Sequence, residues 1–545
     1  MKSFLLSIFI LISTYINAVT LDSIYQFLKT TDNGAYAKYD NITYQVPSLN
    51  QLSGESSWLI QTPELWGHSI AEYNYSLTHS GINQFDPQTN LPMCNSDADC
   101  GSLSHCQSAY FTTNSSHLCL LPEHQILNQI VANISNANYS VDITTLSNSK
   151  GIITTGLFTM AINQGLKNLA QRTINFNHSV TVRVLGGSGN PVFTSLLTYL
   201  HSLIQGIPSN NKLVVSVASM TSCFFSKPCA NGSPKLDVSA NHSKIVDVDS
   251  NQLIEGGENM WSNDYLESYP ANDVSISLTG PVATTATIFV NNLWNNVRNN
   301  YSILGYNHCY TYSNGNISTT CAGDINPNNN SISNESGMMV QVMPLMNYGI
   351  GVISKDNNAN QSMLAFVDAI YNAESSIKIS QQAILYKFLM FPTVFYPLDT
   401  TDGNILQALA YAIHVNNVDV SIITSQLKSD NVIAYNSFSS LQNVHDAILD
   451  QLLLYHNETY FSAQQELTQK LHLASIDFNN SNDSKMNSHN KLLIVDNHLF
   501  YIGSYNIYLT YLQEFGVLVD SEEATTILND NLWNPMWNNA DKFSE

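Results

Sequence analysis

Two short stretches of this chain carry side chains able to do chemistry on a charged ester. One runs Asn241-His242-Ser243-Lys244-Ile245-Val246-Asp247-Val248-Asp249 and reaches Gly256-Gly257-Glu258-Asn259. The other runs Ser488-His489-Asn490-Lys491-Leu492-Leu493-Ile494-Val495-Asp496 and reaches Gly503-Ser504-Tyr505-Asn506. Both read His, any residue, Lys, four residues, Asp, six residues, Gly, Gly or Ser, any residue, Asn. A single match to the first part would be unremarkable in a long chain; two full matches are not. The aliphatic residues between Lys and Asp predict a buried strand. Residues two apart on a strand share a face, so His242 projects with Lys244 and His489 with Lys491. Asp249 and Asp496 lie an odd number of positions beyond their His and face the other way if the strand stays regular.

Two imidazoles, two ammonium groups and two amides facing one another suit a phosphodiester. Phosphoryl transfer depends on positioning and charge stabilisation. Lys244, Lys491, Asn259, Asn506 and Ser504 are expected to hold the non-bridging oxygens. One of His242 and His489 can attack phosphorus while the other protonates the leaving alkoxide, since imidazole exchanges its proton near neutral pH. The scheme calls for no metal and no cofactor. Two acids downstream, Asp273 and Glu514, each open an apolar strand after a turn. Each could bond the far nitrogen of an imidazole, fix its tautomer and stabilise its charged form. The expected catalytic set is therefore His242, His489, Lys244, Lys491, Asp249, Asp496, Asp273 and Glu514.

The elements that must position these residues are written in the same order twice. Helix Leu157–Gln171, strand Val180–Leu185, helix Pro191–Leu203 and strand Leu213–Val217 precede the first motif. Helix Met363–Asn372, strand Ser376–Ile379, helix Asn404–His414, strand Asp419–Ile423, helix Leu441–Tyr455 and strand Leu471–Ile476 precede the second. Such alternation predicts an α/β fold: two duplicated lobes, each a mixed sheet flanked by helices, with the site at their pseudo-twofold interface. The expected division is a leader over 1–18, an N-terminal lobe over 19–335 and a C-terminal lobe over 336–545. The Asn-rich stretch 314–336 reads as the linker. The apolar stretch 57–67 is expected at a lobe surface. The aromatic stretch 384–398, broken by Pro392 and Pro397, reads either as core or as a loop touching a membrane.

Of 545 residues, the first 18 have the pattern of a secretory signal with a cut after Ala18. No later run is long and apolar enough to span a bilayer. A soluble protein, secreted or held in an endolysosomal lumen, is expected. Eight cysteines follow the leader, an even number that suggests disulfides. Spacing predicts a knot among Cys94, Cys100, Cys106 and Cys119 within an insertion at 94–119, and loops Cys223–Cys229 and Cys309–Cys321. Glycan acceptors include Asn41, Asn74, Asn114, Asn133, Asn177, Asn300, Asn316 and Asn457, whereas Asn241 is expected to stay bare beside His242. A net charge of −22 argues against a general nucleic-acid binder.

The doubled motif resembles that of the phospholipase D superfamily. The segments Gly256-Gly257-Glu258-Asn259-Met260-Trp261, Asp264-Tyr265-Leu266 and Asn272-Asp273-Val274 resemble secreted phospholipases D of the actinobacterial type. So do Leu278-Thr279-Gly280-Pro281, Phe500-Tyr501-Ile502-Gly503-Ser504 and Tyr511-Leu512-Gln513-Glu514-Phe515-Gly516. The resemblance spans the chain from about residue 55 onward. It implies a monomeric two-lobed enzyme that cleaves phosphatidylcholine-like lipids at a membrane surface to phosphatidic acid and a free headgroup. It implies His242 as the nucleophile and His489 as the acid and then the base. Transfer to a small alcohol could compete with water. The insertion at 94–119, Glu514 where that group carries Asp, and the stretch 384–398 depart from the pattern. A second reading, a single-stranded nucleic-acid exonuclease of endolysosomal type, shares the motif and differs in its cleft. A third, a non-catalytic binding protein, is disfavoured by two intact motifs.

Overall fold

The computed structural model describes residues 19–31, 47–54, 57–148, 151–187, 196–223, 239–267, 270–300, 308–327, 337–349, 352, 359–385, 403–425, 440–456, 459–479, 487–507 and 512–543. The expected leader, the Cys223–Cys229 loop, Asn41, Asn457 and most of 384–398 lie outside the described residues.

The β-branched runs form strands where their composition requires it. In the first half Ser140–Leu146, Val180–Gly187 and Leu213–Cys223 are parallel neighbours. The motif strand Ile245–Val248 runs antiparallel beside Ser140–Leu146, followed by Gln252–Gly256 and Asp273–Thr279. The second half repeats the arrangement. Ser376–Gln381, Asp419–Thr424 and Leu471–Ser475 are parallel, and Lys491–Val495, Leu499–Gly503 and Glu514–Asp520 follow antiparallel. Helices Gly156–Thr173 and Leu196–Ile204 in one half, and Gly403–His414, Leu441–Tyr455 and Tyr460–Lys470 in the other, supply the crossovers that parallel strands need. Each half is thus a mixed α/β sheet flanked by helices.

The halves are not separate bodies. Strand Ser48–Leu52 pairs with Asp273–Thr279 of the first half and with Met339–Tyr348, which borders Glu514–Asp520 of the second. Among the described residues a single 20-stranded sheet results. A shared core containing Trp58, Ile276, Phe289, Trp294, Phe500, Val517 and Trp533 fills the space between the halves. Stretch 57–67 therefore packs inside this junction: Trp58 stacks on Phe500 at 5.8 Å, and Trp66 meets Phe478 at 5.4 Å.

Two segments depart from the expected division. Helix Leu21–Thr31 precedes the first half in sequence, yet Val19, Leu21, Ile24 and Leu28 bury into the second-half core beside Phe366 and Met343. An amphipathic helix goes where its apolar face is covered, and the first half already has its own helical layer. The start of the expected linker is ordered sheet: Asn316–Ser318 forms a hairpin with His308–Ser313, which pairs with Leu213–Cys223. The Cys309–Cys321 disulfide closes that hairpin. In the insertion, Cys94 bonds Cys106 and Cys100 bonds Cys119 around the small sheet His105–Ser108 and His117–Leu120. Among the described residues no helix is long and apolar enough to cross a membrane.

Trp58→Ala would leave a cavity where the halves meet. Such large-to-small changes cost about 3–5 kcal/mol. The expected result is a lowered urea midpoint with both halves unfolding less cooperatively; an unchanged midpoint would contradict a core shared between the halves.

Candidate active site

The two motif segments meet through the backbone before any side chain is considered. The His242 N–H donates to the Gln513 carbonyl at 2.8 Å, and the His489 N–H donates to the Asn272 carbonyl at 2.7 Å. Gln513 and Asn272 return the bond, donating to the carbonyls of Ala240 at 3.1 Å and Asn487 at 2.8 Å. These paired bonds obey a pseudo-twofold relation. They clamp each His onto the residue just before the other half's acid.

The side chains complete the exchange. His489 Nδ1 lies 2.6 Å from Asp273 Oδ2, and His242 Nδ1 lies 3.2 Å from Glu514 Oε1 and 3.2 Å from the Ser504 carbonyl. Each imidazole thus bonds a carboxylate supplied by the opposite half. With Nδ1 committed, Nε2 is the nitrogen that can attack or deliver a proton. The two rings stand 6.4 Å apart, centroid to centroid, at 65°. All four groups are buried.

Lys244 Nζ donates to the His242 carbonyl, and Lys491 Nζ donates to the His489 carbonyl and lies 2.8 Å from His489 Nδ1. Asn506 is buried, and neither atom of its amide has a protein partner among the described residues. The Asn259 oxygen is likewise unpartnered, while its Nδ2 donates to the Tyr265 hydroxyl at 3.4 Å. An amide left in that state is costly unless a ligand meets it. A Cβ on Gly257 would collide with the Asp273 carboxylate, so glycine lets that acid reach His489.

Burial and the two lysines hold both imidazoles well below the ordinary histidine range. Burial drives Lys244 well below its usual value and Lys491 to about 8, with Asp273 and Glu514 opposing the fall. Burial lifts Asp273 to about 7 and Glu514 to about 8, against the pull of the lysines. The site therefore favours neutral imidazoles and tolerates little net charge.

Three expected members do other work. Asp249 lies beyond the far end of strand Ile245–Val248 with φ 56°, where its carboxylate accepts from the N–H groups of Asn138, Tyr139 and Ser140. Asp496, with φ 51°, accepts from Glu374, Ser375 and Ser376 in the same way. The motif strands carry both acids away from the histidines, so they tie the turn to the neighbouring strand's start and do not touch the reacting groups. The Ser504 hydroxyl donates to the Phe515 carbonyl and accepts from the Phe515 N–H, both at 3.1 Å, so it belongs to sheet pairing and is withdrawn from phosphate binding. Conversely, motif spacing gives no role to Tyr265 or Glu258, and both lie in the site. The Tyr265 hydroxyl lies 3.0 Å from His489 Nδ1 and 3.4 Å from Asp273 Oδ2. Only its place within Asp264-Tyr265-Leu266 hints at a role.

Residues 366–537 match the family described as cardiolipin synthase, PLD-like domain. The chain is 27% identical over 458 residues to phospholipase D of Streptomyces antibioticus, which covers 76% of each chain. Residues 366–537 thus match a phospholipase D-like domain, and most of the chain is similar to a phospholipase D. Among solved structures it is similar to phosphatidylserine synthase of Haemophilus influenzae, with TM-score 0.44 and 15% identity over 77% of this chain and 85% of that one. It is also similar to Nuc of Salmonella typhimurium, a phospholipase D family member, with TM-score 0.22 and 19% identity over 38% of this chain and 98% of that one. The family match falls on the second half, with the second motif inside it.

The two kinds of acid separate by experiment. Asp496→Asn weakens several charge-assisted bonds and is expected to cost about 1–3 kcal/mol in urea unfolding while sparing turnover of a chromogenic phosphodiester. Asp273→Asn is expected to lower that turnover by about 10³–10⁴-fold. Equal losses of turnover in the two variants would return Asp496 to the chemistry.

Proposed function

We propose that the protein is a phospholipase D. In this reading it hydrolyses the distal phosphodiester of glycerophospholipids such as phosphatidylcholine to phosphatidic acid and a free headgroup. The observation that carries the reading is the pair of imidazoles 6.4 Å apart, each bonded to an acid of the other half. His242 Nε2 attacks phosphorus and forms a P–N bond. As the P–O bond to the headgroup breaks, His489 gives its Nε2 proton to the leaving alkoxide. Water then attacks the phosphohistidine while His489 takes the water's proton, and the N–P bond breaks to restore His242. A small alcohol in place of water gives a transferred lipid. Lys244, Lys491, Asn259 and Asn506 hold the non-bridging oxygens as charge builds on them. Asp273 and Glu514 orient the rings and stabilise them when protonated, and Tyr265 supports the His489 side.

The acidic balance of the chain and its similarity to a Streptomyces phospholipase D support a lipid over a nucleic acid. Secretion or an endolysosomal location, and action as a monomer at a membrane surface, complete the proposal. Mixed phospholipid vesicles and single-stranded DNA offered to the same purified protein test it. Choline release without nucleotide is expected, and nucleotide release alone would move the assignment to an exonuclease.

The roles of the histidines are separable. His489→Ala should still trap labelled phosphate on His242 from a diester with a good leaving group. His242→Ala should trap none and lose about 10⁴-fold or more in turnover. The reverse labelling would exchange the roles.

The pH profile follows from the same burial. His242 must be neutral to attack, and its depressed pKa keeps it neutral below the ordinary value of about 6.5. Lys491 loses its charge as pH rises through about 8. The expected kcat/KM profile therefore shows no acid limb near pH 6.5, and on its alkaline side it falls with loss of the His489 proton and then of the Lys491 charge at about 8. An acid limb at or above about 6.5 would contradict a neutral His242 in that range.

A further inference from the structure

The two copies place their acids by different means. In the first half the acid is short, and Gly257 leaves room for it to meet His489 directly. The Val274 N–H and the Tyr265 hydroxyl, at 3.0 and 3.4 Å, complete the surroundings of the Asp273 carboxylate. In the second half Ser504 stands where the first has Gly257, and Glu514 stands where it has Asp273. Ser504 carries the Cβ that Gly257 must lack, and the longer acid has one more bond about which to turn. Glu514 therefore calls for a restraint that Asp273 does without.

Asn347 supplies it. Strand Met339–Tyr348 runs beside Glu514–Asp520 in unbroken register, from Gln341 opposite Asp520 to Asn347 opposite Glu514. Residues directly opposite in such a pair carry their side chains on one face. Asn347 is buried, and its Nδ2 donates to Glu514 Oε2 at 3.4 Å. The other oxygen, Oε1, lies 3.2 Å from His242 Nδ1 and accepts from the Asn506 N–H at 3.4 Å. Nδ1 also meets the Ser504 carbonyl, which can only accept, so Nδ1 carries the hydrogen and Oε1 receives it. The amide of Asn347 can point only one way. Its Oδ1 accepts from the Ser362 N–H at 2.9 Å, in the first turn of helix Gln361–Tyr371, where N–H groups have no partner within the helix. A backbone N–H only donates, so the NH2 end is the one left for Glu514. The counterpart of Asn347 in the first half is Thr62, opposite Asp273, and its hydroxyl goes to Glu258 instead.

We propose that Asn347 is a positioning residue for His242: tied to helix Gln361–Tyr371 at one end, it holds Glu514 Oε2 at the other and so keeps Oε1 on the imidazole Nδ1–H. The inference deepens the phosphodiesterase reading and rests on it for the step that His242 performs. With Nδ1–H held against the acid, the ring keeps its tautomer and Nε2 is the more basic. Without Asn347 the Glu514 side chain can turn away, and His242 keeps only the Ser504 carbonyl. His489 depends on Asp273 and Tyr265 and does not share this restraint.

The test reads the nucleophilic nitrogen without turnover. Diethyl pyrocarbonate acylates a free imidazole nitrogen, and peptide mass spectrometry of the full-length protein gives its rate at His242 and at His489 in one sample. Hydrolysis of bis(p-nitrophenyl) phosphate is followed in parallel. Asn347→Leu keeps the bulk and removes both ends of the amide. It should slow acylation of His242 by about tenfold and leave His489 within about twofold of wild type. Diester hydrolysis should fall in step with His242. A general loosening of the fold would change both histidines together. Should Asn347→Leu fail to fold, Asn347→Thr decides, since it puts in this place the residue that the first half carries there, and it should slow His242 selectively in the same way. An unchanged rate at His242, equal changes at both histidines, or no acylation of His242 in wild type overturns the proposal. Selective slowing at His242 in a protein that cleaves no diester would leave the role of Asn347 standing and remove the phosphodiesterase reading.

Discussion

Each reactive imidazole is bonded to an acid that the other half supplies, and the rest of the molecule serves that exchange. Neither half contains a complete site: the first brings His242 and Asp273, the second His489 and Glu514. A buried imidazole without its carboxylate would bear the cost of desolvation and gain no fixed tautomer. The reciprocal backbone bonds at Gln513 and Asn272, the shared core around Trp58 and the bridging strand Ser48–Leu52 all hold the halves in the one register that lets the exchange form.

Burial makes the site electrostatically tight. Two lysines, two histidines and several acids share one buried volume, and their charges cannot all be expressed together. The outcome is a pair of neutral rings, with Asp273, Glu514 and Lys491 poised near neutral pH. A phosphodiester anion brings the charge that this collection lacks. Under the proposed function it would stabilise the lysines, meet the unpartnered amide of Asn506 and the unpartnered Asn259 oxygen, and make a protonated ring easier to sustain. Substrate binding and the protonation of the general acid are in this view one event.

Much of the site is readable from residue order. The doubled motif, the aliphatic strands that carry it and the acids Asp273 and Glu514 stand out because local composition dictates strand and turn. The odd offset of Asp249 and Asp496 already points them away from the histidines, and their membership in the motif is no guide to their role. Ser504 misleads for a related reason: a hydroxyl next to a glycine turn can serve the backbone as readily as a ligand. The motif spacing gives Tyr265 and Glu258 no role. Glu258 is held by Thr62 and Ser275, from strands 59–62 and 273–279 lying side by side, and Tyr265 meets His489 of the other half, both long-range facts. The same holds for helix Leu21–Thr31, whose apolar stripe announces burial without naming the surface that buries it.

That leading helix has a consequence for how the chain is made. Residues 21–31 leave the ribosome early, but Phe366, Met343 and the second-half helices that cover them are synthesised hundreds of residues later. Strand Ser48–Leu52 waits in the same way for Met339–Tyr348. Both early segments must stay unburied until the second half emerges, holding an apolar stripe and an unpaired edge in the meantime. Closure of the molecule is then a late, single step that joins the first-made segments to the last, and the reacting groups assemble only when it occurs.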